Sequence, residues 1–103
     1  MVYVDKINPC RPTRDWPYAT YCHLLADTIE ELHEFAVGKL GMKRAWFQNT
    51  SKLPHYDLTI GNRFKALKLG AVEIDSHKVR EMMRAPYQYS GQQSGISNQV
   101  SAL

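Results

Sequence analysis

The sequence predicts an α/β fold: a small, mostly parallel sheet of three to four strands with about three helices. Two observations carry that expectation. Short runs of β-branched and aromatic residues alternate with stretches of helical periodicity. Each helix-like stretch also opens on a capping residue, and the first two close on a glycine. Strands joined in turn by helices imply parallel pairing through right-handed crossovers.

Val2, Tyr3 and Val4 form the first strand, which stops at Asp5. Residues 6–18 hold Pro9, Pro12 and Pro17 among polar residues. Proline lacks the donor that a strand ladder needs, so a long irregular loop follows, with Trp16 and Tyr18 as its packing residues. Residues 21–26 read as a buried strand interrupted by His23. Asp27, a carboxylate cap with Glu30 three residues on, marks a helix start. Ile29, Leu32, Ala36 and Leu40 give that helix its apolar face, and Gly41 ends it. A second buried strand is expected over 43–48, around Ala45, Trp46 and Phe47, and then a loop over 49–58. Asp57 or Thr59 caps the next helix, whose apolar side is Ile60, Phe64 and Leu67 and whose stop is Gly70. Residues 71–74 make the last strand. Asp75 or Ser76 caps a third helix that turns Val79, Met82 and Met83 inward. These elements define a single α/β domain over 1–85, half of a Rossmann-like sheet. From Pro86 the composition shifts to Gln, Ser, Gly, Tyr and Asn, with no charge after Arg84, so 86–103 are expected to be a flexible polar tail.

The bulk numbers exclude several classes. At 103 residues and 44% hydrophobic, the chain has enough apolar surface for one core and not for two. Two cysteines, Cys10 and Cys22, are too few for a secreted disulfide scaffold, and no signal peptide is evident, so reduced thiols in a cytoplasm are expected. No apolar run reaches the length of about 18 residues that a membrane span requires. The net charge of +3 is spread along the chain, with one cluster at Arg63, Lys65 and Lys68 that reads as a solvated helix face. A nucleic-acid surface would show a denser stripe.

In parallel sheets, ligands bind beyond the carboxyl ends of the strands. Asp5, Asp27, His55 with Asp57, and Asp75 with His77 would share that edge. Asp5, His55 and Asp57 are the expected catalytic groups, because imidazole titrates near neutrality and a carboxylate orients it. His23, His55 and Asp57 are the candidate ligands for a divalent metal. Arg63, near the start of the second helix, would meet an anion. Structural roles compete with these. Asp27 and Asp57 each precede a helix and fit as caps. His23 fits as a core histidine, His33 as a boundary residue and His77 as an exposed one. Trp16, Tyr18, Trp46, Phe47 and Tyr56 fit core packing as well as stacking on a base. Cys22 beside His23 makes no nucleophile pair, since adjacent strand residues face opposite ways. Two cysteines without Cys-x-x-Cys exclude a conventional structural zinc site, and neither Gly-x-Gly-x-x-Gly nor a P-loop lysine motif occurs.

Tyr3-Val4-Asp5, Cys22-His23, Ala26-Asp27-Thr28, Glu30-Glu31-Leu32-His33, Trp46-Phe47-Gln48, Pro54-His55-Tyr56-Asp57 and Gly70-Ala71-Val72-Glu73, in that order, resemble the domain of unknown function 4031 family. These are small proteins of bacteriophages and bacteria, and the likeness runs over about residues 1–84. The resemblance implies that the matched polar residues, His23, Asp27, Gln48 and Tyr56 among them, belong to one shared ligand-binding site. It also implies a phage-encoded chain working in the host cytoplasm. The second helix departs from the pattern. Asn62 stands where a lysine is expected, and Phe64 and Lys65 replace small or apolar residues, which leaves Arg63 as the remaining cation. Two function classes follow. One is an enzyme, a hydrolase of a nucleotide-like or phosphate-bearing substrate that works through Asp and His at the strand ends, with a divalent metal as candidate cofactor. The other is a phage accessory binding module that sequesters a small ligand or blocks a host protein. Nucleic-acid binding is a weaker third, and no membrane partner is expected.

Overall fold

Val2, Tyr3 and Val4 are all buried, as a strand must be when both faces of its sheet are covered. The computed structural model describes residues 1–49 and 53–84, and the expected polar tail lies outside them. Strand β1 (Val2–Val4) is central. It pairs antiparallel with β3 (Thr20–Ala26) and parallel with β6 (Val72–Glu73). Beyond β3 lie β5 (His55–Leu58) and β4 (Phe47–Gln48), both antiparallel to their neighbours, so the order is β4-β5-β3-β1-β6. A two-residue strand, β2 (Asn8–Pro9), pairs with the start of β3.

The sheet is therefore mixed and mostly antiparallel, with about six strands, where a mostly parallel sheet of three to four was expected. The reason lies in the connections. Parallel neighbours need a crossover, usually a helix, whereas β1 and β3 are joined by the proline-rich loop and pair antiparallel. Among the described strands only β1 and β6 pair in parallel, and helix α2 (Ile60–Lys68) precedes β6.

Alternation along the strands sorts side chains onto two faces. Val2, Val4, Cys22, Leu24, Ala26, Tyr56 and Leu58 point to one face and pack with Leu32, Phe35, Ala36, Leu40 and Ala66. On the other face Tyr3, Leu25 and Leu53 pack with Ile29, Ile74, Val79 and Met82, so helix α3 (Ser76–Arg84) covers only the β1 side. Asp5, His23, His55 and Asp57 continue this second face, and Ser76, Val79 and Arg80 of α3 line a small pocket with Asp5.

Helix α1 (Ile29–His33) is capped by Thr28, whose side chain accepts from the Glu31 backbone N–H, and not by the expected Asp27, whose carboxylate is taken by Tyr3 and the Met1 amine. The stretch then widens into a π-helix over Glu34–Lys39 and stops at Gly41, which has φ +70°. The expected strand over 43–48 is mostly something else. Arg44–Trp46 is a 3-10 turn, and only Phe47 and Gln48 pair with β5. Conversely, the loop expected over 49–58 contains β5, the strand that carries His55 and Asp57. Thr59 caps α2 by accepting from Asn62 N–H, and Gly70 ends it with φ +108°. Asp75 Oδ1 accepts from Lys78 N–H at the start of α3. Among the described residues, no helix is long and apolar enough to cross a membrane.

Candidate metal centre

The site is built outward from one buried carboxylate. Asp5 follows β1 and is only 7% exposed. A carboxylate in that position needs hydrogen bonds on both oxygens. His23, across the ladder on β3, supplies them. Its backbone N–H donates to Asp5 Oδ1 at 2.6 Å, and its ring Nδ1 to Oδ2 at 2.7 Å. Backbone and ring of one residue are thus fixed by one carboxylate. The Nδ1 hydrogen is assigned by its partner, because a carboxylate only accepts, and the lone pair of the neutral ring is then on Nε2.

His55 is set in the same way by a different acceptor. Its Nδ1 lies 2.9 Å from the Leu53 carbonyl, which also fixes the hydrogen there and the lone pair on Nε2. In β5, two residues along the same face, comes Asp57. Its Oδ1 stands 3.4 Å from His55 Nε2 and 3.8 Å from His23 Nε2. The two imidazoles meet edge to face with centroids 4.6 Å apart. One ligating atom from each of His23, His55 and Asp57 lies within 4.8 Å of the others.

Three electron-rich atoms converge here, and the His55 pKa responds. Burial, the largest influence, lowers it. The Asp57 carboxylate and the Leu53 carbonyl outweigh burial and hold it above its ordinary value. A proton on His55 is one way to relieve the convergence, and a cation is another. Edges of a tetrahedral site with metal–nitrogen and metal–oxygen bonds of normal length are about 3.3 Å; the His55–Asp57 separation of 3.4 Å is close to this, and the 3.8 Å from His23 would have to shorten.

Asp57 has a second neighbourhood. With Asp15, Trp16, Pro17, Tyr18, Met42, Ala45, Trp46, Gln48, Thr59 and Asn62 it lines a cavity of about 580 Å³ between the proline-rich loop and the turn before β4. The candidate centre thus lies against a space of ligand size.

The other predicted site residues are placed as follows. Gln48 pairs with His55 across the β4–β5 ladder and lines the cavity. Tyr56 points to the opposite face, fully buried, with its hydroxyl 2.7 Å from His33 Nδ1. Asp27 is at the far edge, because β3 runs antiparallel to β1 and its carboxyl end is the wrong one. There it accepts from the Tyr3 hydroxyl and pairs with the Met1 amine. Arg63 reaches the site's edge as a clamp: Nε donates to the Asp5 carbonyl at 3.0 Å, and Nη2 meets Glu73 at 2.8 Å. Cys22, beside His23 but on the core face, is 1% exposed, and burial followed by the Asp5 charge pushes its thiol up to about 12. It is an inert packing group. Sequence reasoning did not find the Leu53 carbonyl, for which side-chain identity carries no signal. It also missed β5, although the polar-apolar alternation of His55-Tyr56-Asp57-Leu58 was there to read.

No curated protein and no solved structure matches the chain. A family model does match it, over residues 2–86. The chain therefore belongs to the family described as protein of unknown function (DUF4031).

Proposed function

We propose that the protein is a small metal-dependent hydrolase of nucleotide-like, phosphate-bearing substrates, with one divalent cation held by His23 Nε2, His55 Nε2 and Asp57. The observation that carries this reading is the state of the two remaining ring nitrogens. Metal-binding histidines almost always donate their other N–H to a carboxylate or a backbone carbonyl. Here His23 does so to Asp5 and His55 to Leu53. A chance cluster of surface histidines has no reason to be oriented twice over.

Two imidazoles and one carboxylate suit a borderline cation such as Zn²⁺, and three protein ligands leave a position open for water or substrate. Such a cation lowers the pKa of bound water to about 7. Hydrolysis would form one bond from water oxygen to phosphorus and break the ester P–O bond, and the proton given up by that water would pass to the departing alkoxide, which leaves as the alcohol. In this scheme His23, His55 and Asp57 hold the centre, and Asp5 is a positioning residue that acts through His23.

Calorimetric titration of the metal-free protein with Zn²⁺ should give one equivalent bound. Co²⁺ in its place should develop visible absorption. His55→Ala and Asp57→Ala should remove binding, while Asp5→Asn should weaken it by about 10- to 100-fold. Retention of full affinity in both alanine variants would sink the metal reading. Release of phosphate from nucleoside monophosphates by the loaded protein tests the hydrolase half. Metal binding without turnover would instead favour a module that sequesters its ligand.

A further inference from the structure

We infer that the cavity beside the metal centre is a nucleobase pocket that selects bases carrying an exocyclic amine. The inference deepens the hydrolase reading, on which it rests for the position of the scissile bond, while binding of the base itself requires no metal.

Shape and wall chemistry both support it. The cavity, about 580 Å³, is walled by three aromatic side chains, Trp16, Tyr18 and Trp46. Trp16 has its indole N–H already engaged by the Thr20 carbonyl at 3.1 Å and meets Tyr18 edge to face at 5.0 Å. Its polar atom is satisfied by its own loop, so what it offers a ligand is ring surface. Trp46 is half exposed in the 3-10 turn. A large aromatic held out of the core is a cost that stacking on a ligand would offset.

The polar groups decide what kind of planar ligand fits. Gln48 and Asn62 carry amides, each both a donor and an acceptor, the pattern that pairs with base edges. Asp15 and Asp57 add two carboxylates, and among the lining residues there is no Lys, Arg or His. A lining with two carboxylates and acceptors in excess favours a neutral ring that brings N–H donors over a free anion, the nearby Lys43 ammonium being engaged over the Trp46 ring at 5.8 Å. Adenine and cytosine do so through their amines, whereas uracil presents carbonyl oxygens at the corresponding edge. The phosphate of such a ligand would be excluded from the aromatic compartment. A cation held by His23, His55 and Asp57 would offer it a favourable place beyond Asp57. Base in the cavity and ester at the centre are thus complementary consequences of one charge distribution.

Both tryptophans of the chain, Trp16 and Trp46, line the cavity, so intrinsic fluorescence reports on its occupancy. In metal-free protein with chelator present, titration with adenosine or cytidine should quench the emission, and uridine should bind at least several-fold more weakly. Trp46→Ala leaves the core intact, since that ring is half exposed. It should cost about tenfold in adenosine affinity, read from the remaining Trp16 signal. Gln48→Ala should narrow the adenosine-to-uridine ratio. Zn²⁺ titration of the same two variants should match wild type. If none of the nucleosides binds, or if Trp46→Ala binds them as wild type does, the pocket assignment is overturned with the metal reading untouched. Uridine binding as tightly as adenosine overturns the amine preference. Loss of Zn²⁺ binding in the wild type, with adenosine binding retained, overturns the metal centre alone.

Discussion

At the scale of single residues, the two faces of β5 show how one segment serves two purposes. His55 and Asp57 face the candidate centre, and Tyr56 between them is sealed in the core against His33. Burial first, and then the neighbouring Arg44 charge, lower the His33 pKa below its usual value. With its hydrogen on Nε2, neutral His33 can accept the Tyr56 hydroxyl hydrogen at Nδ1, 2.7 Å away, and protonating that nitrogen takes this acceptor from the buried hydroxyl. The sign follows from proton counting. Between the lowered pKa and the unfolded value near 6.5 the unfolded chain binds more protons, so stability rises with pH through that window and falls on acidification. His33→Gln, whose side-chain oxygen can still accept from Tyr56, should flatten the acid limb. Urea denaturation of metal-free protein from about pH 5 to pH 7 measures it, and an unchanged slope in the variant would remove His33 from the account.

At the scale of elements, helix α2 separates capping from function. Asp57 and Thr59 were equal candidates for its cap in the sequence, and the structure gives that role to Thr59, whose hydroxyl accepts from Asn62 N–H at 3.1 Å. Thr59→Ala should therefore cost about 1 kcal/mol in denaturant unfolding of the metal-free protein. Asp57→Asn should show no loss of that kind, and a neutral Thr59→Ala would refute the assignment. The same elements show what the sequence made legible. Helical spacing at Ile29, Leu32 and Ala36 and the glycines at 41 and 70 set the helices nearly where they are. Asp5, His23, His55 and Asp57 were recognisable as candidates from residue type alone. Strand direction was not legible, because antiparallel pairing of β1 with β3 depends on the path of a proline-rich loop that carries no periodic signal. That one reversal removed Asp27 from the site and placed the middle of β3, with His23, beside Asp5. The run Ala45-Trp46-Phe47 misled for a related reason: its hydrophobicity serves a cavity wall at Trp46 and the core only at Phe47.

At the scale of the whole molecule, charge is the remaining determinant of what this protein meets. The chain carries 13 Lys and Arg against 10 Asp and Glu, a net charge of +3. Among the described residues, five of the thirteen cations are already engaged. Arg63 is bound to Glu73, Lys78 to Glu81, and Lys39, Lys43 and Lys68 sit over the rings of Phe35, Trp46 and Phe64. The cluster anticipated at Arg63, Lys65 and Lys68 thus loses Arg63 to the sheet edge and part of Lys68 to a neighbouring aromatic. Polyelectrolyte binding scales with the number of phosphates neutralised at once, because each releases condensed counterions. Cations held singly in pairs and over rings, as among the described residues, neutralise few at once. Duplex DNA should therefore bind no more tightly than ordinary non-specific association, about 10⁻⁴ to 10⁻⁶ M at physiological salt, with a shallow dependence of log affinity on log salt. Fluorescence anisotropy of a labelled duplex across a salt series tests this. A slope indicating six or more phosphate contacts, or affinity that survives high salt, would mean that a nucleic acid is the natural partner and that the aromatic cavity receives an unpaired base of a polymer. A shallow slope, with nucleosides still quenching the two tryptophans, fits a protein whose ligand is a small molecule.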